Sequence, residues 1–272
     1  MRDLYMIPDF NNLEKTMELA EKYHVYFEYN DFYMPAVYSD HEEVKKRIQA
    51  YKTLERDRSH DMLHGAFLDV TIHSQDSEIR RVSEERVRQS LSIAEELGIR
   101  GVVFHANLIA GFYAGYYLDG WFNASVKFWK QMLMEFPTLD IYIENMFEDR
   151  VDELKRLAEA MKEEERFGIC LDYSHFTVFG KDGKDWVEEL APFIKHFHIN
   201  DNNLKDDCHW TVGSGLIDWN DYNVKMKVNR IEVSALIEVK PLDSFEKSVV
   251  YMKKAGIYPL GTVEIKQKKE GE

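Results

Sequence analysis

Short apolar runs recur along the chain, and six of them end in a side chain that can bind a divalent metal. They are Leu63-His64, Val102-Val103-Phe104-His105, Ile141-Tyr142-Ile143-Glu144, Ile169-Cys170-Leu171-Asp172, Ile194-Lys195-His196-Phe197-His198 and Ala235-Leu236-Ile237-Glu238. Runs of this length read as buried strands. Helical periodicity fills much of the rest. A strand over Leu4 to Pro8 precedes a helix from about Asn12 to Tyr23, and a strand over Val25 to Tyr29 precedes a helix over His41 to Glu55. From Glu78 to Leu97, Val87, Leu91, Ala94 and Leu97 form one stripe that stops at Gly98, a good helix terminator. A helix from about Arg150 carries Leu154, Leu157 and Met161 at spacings of three and four. The last helix is expected to open with Asp243 and Glu246 as a capping box, bury Phe245, Val249 and Met252, and end at Gly256.

Strands and helices therefore alternate, and the six strand-end residues lie 41, 39, 28, 26 and 40 positions apart. Sharing 272 residues among eight units gives about 34 each, close to the roughly 30 or more that a strand, a crossover helix and two loops need. The expected fold class is α/β, a single (β/α)8 barrel over residues 1–265 with a short charged tail over 266–272. Parallel barrel strands point their C-terminal ends at one face, so the six residues would converge there.

Convergence changes how each residue is read. A lone strand-end histidine is ordinarily a hydrogen-bonded core residue, and a lone loop aspartate is ordinarily a turn or cap. Several charged and imidazole groups brought to one buried place need a common partner, which a metal ion provides. The loops add His175, three residues past Asp172, and Asp207 with His209, which would share one side of an extended chain. The candidate ligands are His64, His105, Glu144, Asp172, His175, His198, Asp207, His209 and Glu238, which take in five of the ten histidines. His196 should point inward below them, whereas His24, His41, His60 and His73 fall outside the pattern. Cys170 should fill the core one layer beneath Asp172. Cys208, between two candidates, is a further thiol within reach of a metal.

Composition excludes several classes. Two cysteines are too few for a disulfide scaffold. No low-complexity linker interrupts the chain, and no apolar segment approaches the roughly 20 residues of a membrane span. Met1-Arg2-Asp3-Leu4 lacks the apolar stretch of a signal peptide, which points to the cytoplasm. The net charge of −14 works against loose adsorption to nucleic acid or anionic membranes. A dense basic run appears only in the tail, at Lys266-Gln267-Lys268-Lys269. A homodimer is the default expectation for oligomeric state.

Taken together, Leu63-His64-Gly65, Phe104-His105-Ala106, Ile143-Glu144-Asn145, Leu171-Asp172-Tyr173-Ser174-His175, His198-Ile199-Asn200-Asp201, Asp207-Cys208-His209, Gly213-Ser214-Gly215-Leu216-Ile217-Asp218-Trp219 and Ile237-Glu238 resemble the xylose isomerase-like TIM barrels, which include type IV AP endonucleases. The resemblance implies a divalent metal (manganese, magnesium, cobalt or zinc), one to three ions, and a small carbohydrate substrate. In the family's sugar isomerases and epimerases, one ion is held at positions matching Glu144, Asp172, His198 and Glu238. There it stabilises an enediolate while the two glutamates exchange a proton and His175 polarises a substrate oxygen. Phe10, Tyr113 of the Tyr113-Tyr116-Tyr117 cluster, Trp210 and Trp219 are candidates to stack on the sugar. In the endonucleases all nine positions bind three zinc ions, which makes a multinuclear zinc hydrolase the alternative. A non-catalytic sugar-binding barrel is a third reading. The loops over 8–12, 30–40 and 65–77 hold no lysine or arginine, which argues against a nucleic-acid substrate. The stretch Asn202-Asn203-Leu204-Lys205 replaces an arginine common in the epimerases, and the Gly213-Ser214-Gly215 turn is open to two readings, a phosphate cradle or a simple change of direction.

Overall fold

The computed structural model describes residues 3–67 and 69–261, so the tail lies outside the described residues. Eight parallel strands close on themselves in chain order: β1 (Leu4–Met6), β2 (Tyr26–Tyr29), β3 (Met62–His64), β4 (Gly101–His105), β5 (Asp140–Glu144), β6 (Phe167–Asp172), β7 (Ile194–Ile199) and β8 (Ser234–Ile237). The final pairing, Tyr5 beside Leu236, joins β1 to β8. This is the expected (β/α)8 barrel.

Alternation along each strand decides what enters the barrel. Val102, Phe104, Ile141, Ile143, Ile169, Leu171, Phe197, Ala235 and Ile237 pack outward in the main apolar core with the helices. Their neighbours of opposite parity, Tyr5, Ile7, Met62, Val103, Tyr142, Cys170 and Leu236, form a separate cluster that plugs the interior. Cys170 is thus core filler, as expected. Two residues further along, the same inward parity delivers His64, His105, Glu144, Asp172, His198 and Glu238 to the C-terminal mouth, all buried.

The helices cover the outside: α1 (Leu13–Tyr23), α2 (Pro35–Tyr38), α3 (His41–Lys52), α4 (Ser77–Leu97), α5 (Gly115–Glu135), α6 (Asp152–Ala160), α7 (Tyr173–Phe179), α8 (Trp186–Leu190), α9 (Trp219–Val228) and α10 (Leu242–Ala255). Gly98 and Gly256 end α4 and α10 in left-handed conformation, at φ of 68° in each case. Among the described residues no helix is long and apolar enough to cross a membrane.

The capping box expected at the last helix does not form. Pro241 occupies the N-cap, Asp243 already lies inside the first turn, and Glu246 turns away to accept from Lys22 and the Tyr23 hydroxyl of α1. A second difference matters for the site. The stretch after Asp172 was expected to be a loop, but it is the first turn of α7, with Asp172 as its N-cap.

Candidate functional site

Local hydrogen bonds set each candidate side chain. Asp172 Oδ1 accepts from the His175 amide at 2.7 Å, so one carboxylate caps α7 and brings His175 back over the mouth. The Asn145 side chain clamps the same strand end, its Oδ1 accepting from Asp172 N and its Nδ2 donating to Asp172 O, both at 2.9 Å. The long loop after β7 is tied by Asp201. That buried carboxylate accepts from Gly213 N (2.8 Å), Ile217 N (3.2 Å) and Trp219 Nε1 (3.0 Å), while its backbone pairs with Trp210. Gly215 is required here, because an added Cβ would lie 2.3 Å from Asp201 Oδ1 and 2.4 Å from Asn202 O. The Gly213 and Ser214 amides are both committed, to Asp201 and to Thr211 O. Two of the turn's three amides are therefore already bonded within the loop.

All nine candidate side chains meet at the mouth. His64, His105 and Glu144 form one set of potential ligand atoms within 4.8 Å of one another; Glu144, Asp172, His198 and Glu238 form a second; His175, Asp207 and His209 form a third. Glu144 joins the first two sets. Its Oε2 faces His64 Nε2 at 3.4 Å and His105 Nε2 at 3.3 Å, and its Oε1 faces His198 Nδ1 at 3.3 Å. Asp207 spans the third, with Oδ2 3.4 Å from His175 Nε2 and Oδ1 3.1 Å from His209 Nε2. This geometry is not that of an extended chain, since His209 sits at φ 47° and reaches Asp207 through a turn. Cys208 points elsewhere, its Sγ donating to Asp206 O.

The electrostatics are those of a cation site. Burial pushes Asp172 up to about 7, with the charges of Glu144 and Glu238 adding to it and His175 opposing. Burial disfavours the His209 cation, yet Glu238, Asp207 and Asp172 hold it at about 10. Burial acts against the Glu144 carboxylate too, but His198 and His105 keep it well below the usual range. Several polar atoms here are buried without an aligned hydrogen-bond partner, among them both Glu144 oxygens, Asp172 Oδ2, His175 Nε2, His198 Nδ1, Asp207 Oδ1 and Glu238 Oε2. Unsatisfied donors and acceptors of mixed type, all aimed at shared points, are costly alone and suit divalent ions. The residues fit the group.

The other expected residues divide. His196 lies inward below the mouth, as expected, with Nε2 3.2 Å from Glu28. His73 sits in the loop after β3, where burial pushes it down to about 4. Tyr113 and Trp210 are each a little under half exposed, and Tyr113 bonds Asp149 while the Trp210 backbone pairs with Asp201. Phe10 lies beneath Arg47 and against Tyr51, lining a cleft of about 420 Å³ with Asp9, Asp31 and Lys240. Trp219 is a correction. It is 5% exposed, donates to Asp201 and packs on Tyr222, so it anchors α9 and cannot stack on a substrate.

Two features escaped the sequence reading. Phe67 and Tyr33 cover the first set, with Phe67 4.9 Å from the His105 ring and Tyr33 5.7 Å from His64. Glu28 on β2 is fully buried beside His196 and His198. Burial opposes its charge, but the two imidazoles hold it below the usual carboxylate range. Its signal was a lone carboxylate inside the aromatic run Tyr26-Phe27-Glu28-Tyr29, at inward parity.

Comparison with known proteins agrees with this architecture. The family model for the xylose isomerase-like TIM barrel matches residues 15–255. MJ1614 of Methanocaldococcus jannaschii is 27% identical over 212 residues, 74% of this chain and 80% of that protein. A probable endonuclease 4 of Thermosipho melanesiensis is 26% identical over 199 residues, 65% and 68% of the two chains. Among solved structures, a D-tagatose 3-epimerase-like protein superposes with a TM-score of 0.72 at 22% identity, covering 93% of this chain and 96% of its own. The TTHB071 protein of Thermus thermophilus, soaked with zinc chloride, gives 0.69 at 19% identity over 93% and 97%. The closed eight-stranded parallel barrel and a family match spanning nearly its whole length lead to one conclusion: the chain belongs to the xylose isomerase-like TIM barrel family.

Proposed function

We propose that this chain is a divalent-metal-dependent enzyme that isomerises or epimerises a sugar, or an inosose-like ketone, by moving a proton at the carbon beside its carbonyl. The observation that carries this reading is the make-up of the mouth. The loops over 8–12, 30–40 and 65–77 offer no cation, while the rings of Tyr33 and Phe67 stand over the His64–His105 side of a carboxylate-rich centre. Such a rim fits an uncharged polyol with apolar ring faces rather than a polyanion.

Glu144, Asp172, His198 and Glu238 would hold the principal ion, a set suited to manganese, magnesium or cobalt. The histidine-rich outer sets suit zinc. Bound there, a divalent ion supplies the Lewis acidity that makes a carbon-bound proton removable by a carboxylate. Glu144 and Glu238 reach the centre from β5 and β8, each 3.3 Å from His198 Nδ1. One removes the proton and the other returns it on the opposite side. In this reading His175, whose Nδ1 is held by Asn145 O, would donate to a substrate oxygen through Nε2, and Phe10, Tyr113 and Trp210 are the remaining candidates to stack on the sugar. The epimerase-like protein among the solved neighbours supports this reading.

A second reading, a multinuclear zinc hydrolase of phosphodiesters, is favoured by a different observation. His64 and His105 both face Glu144 Oε2, so one carboxylate is shared between two ligand sets, and a relative is a probable endonuclease 4. One experiment separates the two. Metal-loaded protein incubated in deuterated water with ketoses and inosose-like compounds is expected to place deuterium on the carbon next to the carbonyl. No exchange, together with EDTA-sensitive nicking of an abasic oligonucleotide, would transfer the assignment to hydrolysis.

A further inference from the structure

Three histidines of the centre are oriented by backbone carbonyls. His64 Nδ1 donates to Gly65 O at 3.0 Å, His175 Nδ1 to Asn145 O at 2.9 Å, and His209 Nδ1 to Glu238 O at 3.0 Å. Each thereby leaves Nε2 toward a carboxylate of the centre, His64 toward Glu144 and His175 and His209 toward Asp207, although His175 Nδ1 also lies 3.4 Å from Glu144 Oε1. His198 is reversed. Its Nδ1 faces Glu144 and Glu238, and its Nε2 points down into the barrel, where it meets a carboxylate rather than a carbonyl.

That carboxylate is Glu28, whose Oε1 lies 3.0 Å from His198 Nε2, at ion-pair distance rather than in an aligned hydrogen bond. Its Oε2 is 3.2 Å from His196 Nε2, and His196 Nδ1 is 2.7 Å from Ser234 Oγ. Glu28, His196 and His198 show no solvent exposure. A chain of four side chains from β2, β7 and β8 thus runs beneath the candidate centre.

We infer that Glu28 is the positioning residue for His198: its negative charge keeps the proton on His198 Nε2, favours the tautomer that leaves the Nδ1 lone pair on the Glu144–Asp172–Glu238 set, and is itself held by His196, which Ser234 orients. An anionic partner also makes the imidazole a better ligand than a carbonyl does, which places this device at the histidine of the principal set. The inference rests on reading that set as a metal centre. The plainer account is that Glu28 and His196 merely satisfy each other as polar core. The two accounts differ in what they predict for metal binding, since a core pair affects stability alone.

Cobalt(II) is the probe. Wild-type protein stripped of metal and titrated with cobalt is expected to bind it tightly and show visible ligand-field bands. Glu28→Gln, nearly isosteric, should lower cobalt affinity about 10–100-fold in chelator competition and shift those bands while the circular dichroism stays native. His196→Gln, which frees the carboxylate without removing it, should give a smaller loss in the same direction, and it decides the matter if Glu28→Gln does not fold. Native-like affinity and spectrum in the folded variant would overturn the inference alone. If wild-type protein takes up no cobalt, the metal-centre reading fails and the inference fails with it.

Discussion

Glu144→Gln is expected to lower turnover by about 1,000-fold and to weaken metal binding by at least about 100-fold while leaving the barrel folded. The side chain keeps its volume, but the neutral amide neither attracts the ions of two ligand sets nor accepts a proton. Glu144 faces His64, His105, His175 and His198 at once. The stability of the metal-free protein supplies the control. Because imidazoles hold the Glu144 carboxylate well below its usual range, its charge stabilises the metal-free fold, so the variant should melt lower without metal while still unfolding cooperatively. Ligand binding retained at wild-type strength, with no turnover in either protein, would instead indicate a sugar-binding barrel without catalysis.

Asp201→Ala should have the largest effect on folding outside the apolar core. One carboxylate answers the Gly213 and Ile217 amides and the Trp219 indole, and its removal leaves these donors without acceptors in a tightly packed loop. At about 1 kcal/mol or more per orphaned donor, the loss is about 3 kcal/mol, or roughly 6–12 °C in melting temperature for a domain of this size. The same loop carries Asp207 and His209, so the third ligand set should loosen too, seen as a lower zinc stoichiometry. Asp201→Asn retains an acceptor and should fall between the two. A melting temperature unchanged in Asp201→Ala would show that the loop is held by other means.

The barrel and the six strand-end side chains were legible because two periodicities coincide. Strand alternation fixes which residues face inward, and barrel closure brings the ends of all eight strands to one face, so apolar runs ending in His, Asp or Glu already imply convergence. What the pattern missed follows from the same rule applied too narrowly. Glu28 stands one residue before the end of β2, not at the end, so a search for terminal ligands passes over it, although its inward parity beside His196 was available. Trp219 looked like a mouth aromatic because it follows a glycine-rich turn. Only the tertiary path of that loop around Asp201 shows its ring turned into the protein. The capping box failed for a related reason. Glu246 has a tertiary partner in Lys22 and Tyr23, and tertiary ion pairing competes with local capping.

The centre also explains why so many charged groups tolerate burial. His64, His105, Glu144, Asp172, His175, His198 and Glu238 are all at most 7% exposed, an arrangement that ordinary hydrogen bonding leaves incomplete. Metal ions would satisfy them together. The most direct measurement is therefore elemental analysis of the purified, unchelated protein, repeated after dialysis against zinc or manganese. The account predicts at least one tightly held divalent ion per chain, rising toward three when all sets are filled; a total below about 0.3 per chain under every condition would contradict it, because tight ligation sets occupancy.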